Sequence, residues 1–324
     1  MIKLEKGMKQ DKSLTIFLTG GSSGIGYQAV LKLISFGHNI ILPCKSILRA
    51  NEVLTNILNQ LPSWLSKKGT IYTPIMDLSD FNSIDSLCFE VKKRGLTIDV
   101  LILNAGLQYT GSKTKKKSSQ GLELTFAVNH LSHFYLTQNL LPLIKKSNDS
   151  RIIITSSEVH NPMSSGGRVG AKAGLGNLNG LVSGAEFEMI DGGKFNADKA
   201  YKDSKLCNIL FAKELSNRLN KRNIEIPVIA WAPGLVISKE IQGFFRYSRK
   251  YNQLGQILFS FLARDLLRIT TSNEIAGMLL SDLVCSCIYN KPGFNYYSNK
   301  LISPGKFTFE KTNISEEAQK EGLS

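Results

Sequence analysis

Short apolar runs alternate with stretches whose apolar residues recur every three to four positions along most of this chain. The first run, residues 14–18, reads Leu-Thr-Ile-Phe-Leu and predicts a strand. Behind it Ala29, Val30, Leu33 and Ile34 fall on one face of a helix. Further strands are predicted at 39–43, 70–76, 98–103, 151–155, 226–231 and 293–297. Helical periodicity covers 50–61, 121–145, the stretch from Leu206 to Leu215, and 272–285. This alternation predicts an α/β fold, a doubly wound parallel sheet with both faces covered. No internal repeat is visible, so residues 1–324 read as one domain.

The periodicity stops in one long segment. Residues 161–194 hold nine glycines, yet Leu175, Leu178, Leu181, Phe187, Met189 and Ile190 argue against disorder. Residues 158–196 are expected to be an insert that covers substrate. Residues 244–269 mix aromatics and cations (Phe244, Phe245, Arg246, Tyr247, Arg249, Lys250, Tyr251, Phe259, Phe261, Arg264, Arg268). They read as a lid that could touch an anionic membrane, or as an amphipathic helix packed on the core. The polar tail, 308–324, is expected to fray.

Composition narrows this picture. The 324 residues are 42% hydrophobic and 20% charged, which suits a globular protein with a sizeable core. No apolar run is long enough for a membrane span. The charged stretch from Met1 to Gln10 lacks the apolar centre of a secretory signal, and no transit peptide is read there. The chain is therefore expected in the cytoplasm or at the periphery of an internal membrane. Net charge is +14, but the cations are scattered apart from the Lys113 to Lys117 run, which reads as a solvated loop. Without a nucleic-acid motif, no nucleic-acid partner is expected. Five widely spaced cysteines argue against a disulfide framework. Neither Cys285-x-Cys287 nor the His130/His133 pair has a complete metal-ligand set, so no metal is expected.

The candidate chemistry begins directly after the first strand. Thr19-Gly20-Gly21-Ser22-Ser23-Gly24-Ile25-Gly26 is a glycine-rich turn opening a helix. Small residues there let the backbone approach a pyrophosphate, and the helix N-terminus supplies free N–H groups. The architecture is thus a single Rossmann-type sheet. An acid closing the second strand would bind a ribose hydroxyl, but Lys45 and Arg49 follow instead. They suit a 2′-phosphate, hence NADPH, or are ordinary surface cations. Asp77, with Leu78, ends the third strand, as an adenine acceptor or as a helix cap. Asn104-Ala105-Gly106 ends the fourth, where small residues leave the ligand crevice room. Tyr201 and Lys205 stand at i and i+4, so a phenol shares a helix face with a cation. The cation is expected to lower the phenol's pKa and make it a usable proton donor.

In their order, the Thr19 to Gly26 turn, Asn104-Ala105-Gly106, Asn129, Ser157, Tyr201 with Lys205, and Pro233-Gly234 resemble the short-chain dehydrogenase/reductase family over nearly the whole chain. The resemblance implies that Gly20, Gly24 and Gly26 hold the pyrophosphate, with Ser22, Ser23 and Ile25 in the same turn. It implies that Asn104 lies along the cofactor and that Pro233-Gly234 sits beside the nicotinamide. Tyr201 would be the proton donor, Lys205 its partner, Ser157 the residue orienting the substrate oxygen, and Asn129 the support of a proton-relay water.

One branch is more similar than the others. Residues 174–181, 189–195 and 200–208 look like the light-dependent protochlorophyllide oxidoreductases, which carry this insert. Cys44-Lys45 with Arg49, and the stretch from Lys291 to Asn299, resemble that branch too. The branch implies NADPH-driven reduction of the D-ring double bond of a tetrapyrrole, within chlorophyll biosynthesis at a photosynthetic membrane. Where it reads Tyr-Pro-Gly-Cys, this chain has Ala232-Pro233-Gly234-Leu235. Two other readings therefore stand beside it. One is a reductase working in the dark on a carbonyl or double bond of a large apolar substrate. The other is an NADPH- or pigment-binding protein with little turnover. The oligomeric state is not legible.

Overall fold

A computed structural model describes residues 12–62, 68–237, 246–251 and 253–321. Phe244, Phe245, the Met1 to Gln10 stretch and the last three residues of the tail lie outside the described residues.

The elements run β1 (Thr15–Leu18), α1 (Gly24–Ser35), β2 (Asn39–Ile41), α2 (Ile47–Gln60), β3 (Ile71–Tyr72), α3 (Phe81–Lys93) and β4 (Val100–Leu103). Then come α4 (Leu124–Phe126), a π-helical turn (Ala127–Leu131), α5 (Ser132–Ile144), β5 (Arg151–Thr155) and α6 (Ala197–Asn220). The remainder is β6 (Pro227–Ala232), α7 (Arg246–Tyr251), α8 (Gln253–Phe261), α9 (Asn273–Cys285), β7 (Gly293–Ser303), β8 (Lys306–Lys311) and α10 (Glu316–Glu321).

The strands form one eight-stranded sheet in the order β3-β2-β1-β4-β5-β6-β7-β8. All neighbours are parallel except β7 and β8. Strand order reverses between β1 and β4, which opens a crevice at the carboxyl ends of the strands. Side chains alternate between two cores, as a period of two requires. Ile16, Leu18, Ile102, Ile153, Ile229 and Trp231 face α1, α2 and α9. Phe17, Leu101, Leu103, Ile152, Ile154 and Val228 face α3, α5 and α6.

Several expected boundaries shift for physical reasons. Strand β3 is only two residues long, although Cys44 and Ile75 add an isolated bridge beyond it. Pro74 lies between and has no N–H to give the ladder. The long helix expected over 121–145 starts at Leu124 and is interrupted by the π turn that carries Asn129. Asp80, not Asp77, caps α3, accepting from Asn82 N.

The tail is a correction. Residues 306–311 do not fray but form β8, and α10 buries Ala318 behind Ile314. Phe307 and Phe309 alternate with polar residues, and Phe309 packs on Tyr297 and Trp231. That alternation, after Pro304-Gly305, is a hairpin signal inside a stretch that looks polar on average.

The insert is mostly turns, with short 3-10 helices at Glu158–His160 and Asn179–Glu186. Leu175, Phe187 and Ile190 enter the core beside α6. The described part of 244–269 is helical, but α8 leaves Leu254, Ile257, Leu258 and Phe261 exposed rather than packed on the core.

Candidate active site

The crevice at the carboxyl ends of the strands is built from backbone that admits no larger residues. Gly20 takes φ +71, and a Cβ on it would stand 2.7 Å from Ala105 Cα. A Cβ on Gly26 would stand 2.4 Å from the Gly20 carbonyl oxygen. Such contacts are far inside van der Waals range, so this turn and the Asn104-Ala105 segment pack backbone to backbone. Gly24, at φ +57, starts α1 and keeps its N-terminus open. Ser23 precedes it in extended conformation and makes no side-chain cap. Ile25 packs into the core from the first helical turn. The turn therefore has the cradle shape and the free N–H groups that a pyrophosphate needs.

Thr19 ties this turn to the next strand. Its hydroxyl oxygen accepts from Asn104 N at 2.9 Å and Ala105 N at 3.1 Å, and lies 3.0 Å from His133 Nε2. Asn104 Nδ2 donates to the Thr19 carbonyl, and its Oδ1 accepts from Thr155 Oγ1 at 3.2 Å. One side chain thus joins the ends of β1, β4 and β5.

Of the predicted 2′-phosphate pair, Arg49 reaches the turn. Arg49 donates from one guanidinium nitrogen to the Ser22 carbonyl oxygen at 2.5 Å and from another to Glu52 at 2.7 Å. Lys45 pairs with Asp77 at 2.9 Å. Asp77 also accepts from Ser79 N and Oγ, and these bonds with Lys45 hold its carboxyl below the usual range despite the opposing effect of burial. Leu78 is held by its carbonyl, which accepts from Ser132 Oγ.

The candidate catalytic residues converge at the other end of the crevice. Asn129 is fully buried on the π turn. Its Oδ1 accepts from Leu107 N at 2.8 Å, and its Nδ2 donates to Leu107 O and Ser204 Oγ. A Cβ on Gly106 would lie 3.5 Å from Asn129 Oδ1 and 3.7 Å from Lys205 Nζ, so these three positions adjoin. Lys205 donates to the Thr155 carbonyl oxygen at 3.1 Å, and its ammonium is 5.7 Å from the centre of the Tyr201 ring. Ser157 lies near enough to the Tyr201 phenol to act on its protonation.

The electrostatics differ from expectation. Burial pushes the Tyr201 phenol well above its ordinary pKa, with Ser157 opposing it. Burial also lowers Lys205 to about 8. Desolvation of both groups outweighs the expected lowering of the phenol by the cation. The phenol is therefore fully protonated at neutral pH, the form a proton donor must have.

A profile of the short chain dehydrogenase family matches residues 14–187. Protochlorophyllide reductase of Cucumis sativus is 31% identical over 91% of this chain and 72% of its own length. That of Marchantia paleacea is 31% identical over 94% of this chain and 64% of its own length. The chain belongs to the short-chain dehydrogenase family.

It is accordingly an oxidoreductase, and its sequence relatives include the protochlorophyllide reductases. Among solved structures, L-sorbose reductase of Gluconobacter frateurii, complexed with NADPH and L-sorbose, aligns at TM-score 0.64 with 16% identity, over 91% of this chain and 96% of its own. The Pseudomonas aeruginosa RhlG/NADP complex aligns at 0.63 with 19% identity, over 91% of this chain and 97% of its own. These likenesses confirm the fold of a short-chain dehydrogenase.

Other residues of this candidate site were not singled out from sequence. Asn299, in β7 just past its last pair with β6, donates to the Pro233 carbonyl at 3.1 Å, and its own carbonyl leaves no room for a side chain on Gly234. Only the pairing of β7 with β6 reveals it. Tyr296 donates to Glu158 Oε1 at 2.5 Å, clamping the turn after Ser157. His130 and His133 behave as packed polar residues: burial lowers them to about 4 and about 3. No metal-holding group of side chains occurs among the described residues. No helix among them is long and apolar enough to cross a membrane.

Proposed function

We propose that the chain is an NADPH-dependent reductase of the protochlorophyllide type, with Tyr201 as proton donor to a reduced carbon–carbon double bond. The observation that carries this reading is the buried Tyr201 phenol, with Lys205 over its ring and Ser157 near it, together with a glycine cradle that a Cβ would fill.

Gly20, Gly24 and Gly26 would hold the pyrophosphate, with the N–H groups of Ser22, Ser23 and Ile25 facing it. Arg49, already against the Ser22 carbonyl, and Lys45 would take the 2′-phosphate. Asp77 and Leu78 would border the adenine, Asn104, Ala105 and Gly106 the ribose side, and Pro233-Gly234 the nicotinamide. When bound, NADPH supplies the hydride and is left as NADP⁺. Tyr201 gives its proton to the second carbon, Ser157 orients the substrate, and Lys205 stabilises the phenolate left behind. Asn129 holds Lys205's surroundings in place through Leu107 and Ser204.

A second reading rests on Ala232 and Leu235. Ala232 is fully buried in β6, and neither side chain can donate a proton. This favours a reductase that works in the dark on a large apolar carbonyl or double bond. The test is purified protein with NADPH and protochlorophyllide, read by absorbance in darkness and after a flash. Chlorophyllide formed only after the flash supports the first reading. Pigment bound but unchanged, with dark NADPH oxidation on apolar carbonyls, selects the second.

The exposed face of α8 supports a membrane-peripheral placement. Leu254, Ile257, Leu258 and Phe261 follow i, i+3, i+4, i+7 spacing, and the chain carries +14. Co-sedimentation with anionic but not neutral vesicles is the expected result.

A further inference from the structure

The catalytic helix carries three buried or half-buried charged side chains that the chemistry above does not use. Lys202 and Asp203 lie between Tyr201 and Lys205, and Lys199 lies one turn before Asp203. At about 100° per residue, Lys199 and Asp203 face away from Tyr201 and Lys205. They face the insert instead.

The contacts are specific. Asp203 accepts from Gly174 N at 2.9 Å, while Lys199 donates to Gly174 O at 2.6 Å. Both backbone groups of one insert residue are thus taken by one i,i+4 pair, itself joined at 2.6 Å. Lys199 also pairs with Asp191, further along the insert, at 3.0 Å. Lys202 donates to the carbonyls of Val169 and Ala171, the latter at 2.9 Å, and pairs with Asp198 at 3.1 Å. Lys202 is 3% exposed and Asp203 1%.

Burying such charges is costly unless every group is paired. Here the pairing partners are backbone groups of a segment with little regular structure of its own, which must find partners outside itself. The helix face thereby supplies the bonds that a sheet would otherwise give.

We propose that Lys199, Lys202 and Asp203 are positioning residues that strap the insert to the catalytic helix, so that the substrate wall at 169–174 and 191 moves as one body with Tyr201. The role as substrate wall rests on the function proposed above; the strap itself does not. The stretch of helix from Lys199 to Lys205 then does two jobs. One face of the helix presents the proton donor, and the other sets the wall against which substrate must lie.

The test is native-state trypsin digestion of the full chain, wild type and Lys202→Met. Arg168 and Lys172 are exposed and flank the strapped carbonyls, so they report opening of the insert. Cleavage after both should speed about tenfold in Lys202→Met, because cleavage follows the open population. NADPH affinity, read by cofactor fluorescence, should change less than about twofold, as expected for sites that do not share partners. Lys202→Arg should restore most of the protection. If Lys202→Met does not fold, Lys199→Met at its more exposed position carries the same readout.

Unchanged cleavage at Arg168 and Lys172 overturns the strap. So does cleavage that rises equally over the whole chain, since that reports global unfolding. In turnover with pigment, a raised KM with a smaller change in kcat is expected; a loosened insert with unchanged KM overturns its role as substrate wall. If even wild type turns over no pigment, the function proposed above falls, and the trypsin result still judges the strap.

Discussion

Asn299 and Pro233 are joined by a hydrogen bond of 3.1 Å that crosses from β7 to the turn after β6. The bond fixes the backbone predicted to lie against the nicotinamide. Replacing Asn299 with Leu leaves the Pro233 carbonyl without its buried donor, a loss of about 1–3 kcal/mol. The expected result is a KM for NADPH raised about tenfold or more with the fold retained, checked by steady-state kinetics and circular dichroism. Unchanged cofactor kinetics would reject the assigned wall.

Tyr201→Phe removes the phenol and keeps the ring. Turnover should fall by about 10²–10⁴-fold, the range for a lost general acid. NADPH binding should persist, because the cradle does not depend on the hydroxyl. A single-turnover measurement separates the two effects.

The pH dependence follows from Lys205. Its pKa is lowered to about 8 by burial, so the ammonium is present below pH 8 and lost above it. Tyr201 is raised and stays protonated throughout that range. The profile of kcat/KM, which reports the free protein, should be flat near neutrality and fall as pH rises through about 8. Lys205→Met should abolish that limb. The same lowered pKa makes the folded state bind fewer protons than the unfolded state between about pH 8 and pH 10, so this group's contribution to stability rises with pH there.

Arg49→Ala should raise KM for NADPH about 10- to 100-fold and leave NADH nearly unaffected, because charge-assisted bonds to a 2′-phosphate are lost. Equal losses for the two cofactors would show that Arg49 acts only through Ser22 and Glu52.

Gly26→Ala introduces a Cβ 2.4 Å from the Gly20 carbonyl oxygen. The turn must shift, at a cost of about 1–3 kcal/mol. Weaker NADPH binding is expected, with a thermal midpoint lowered by a few degrees.

The central parallel strands were legible because they are buried on both faces and read as apolar runs, β5 without error at Arg151–Thr155. The glycine-rich turn was legible because its glycines sit between a strand and a helix. β8 was not, since an edge strand with one apolar face averages to a polar tail. Nor was the π turn, because one added residue leaves hydrophobic spacing nearly unchanged. The candidate site residues could be picked out from their order along the chain, but their electrostatics could not. Desolvation depends on what surrounds Tyr201 and Lys205 in space, and that outweighed the charge pairing visible in the i,i+4 spacing. Asn299 and the insert contacts of Lys199, Lys202 and Asp203 depend on distant segments meeting, so no local pattern announced them.

The sheet ends in two unlike margins. On one side β3 is two residues long with Pro74 just beyond it; on the other, β8 carries Lys306, Glu310 and Lys311. A short strand and a charged one are both poor templates for a foreign strand. Among the described residues, the sheet's edges therefore offer a second copy of this chain little to extend.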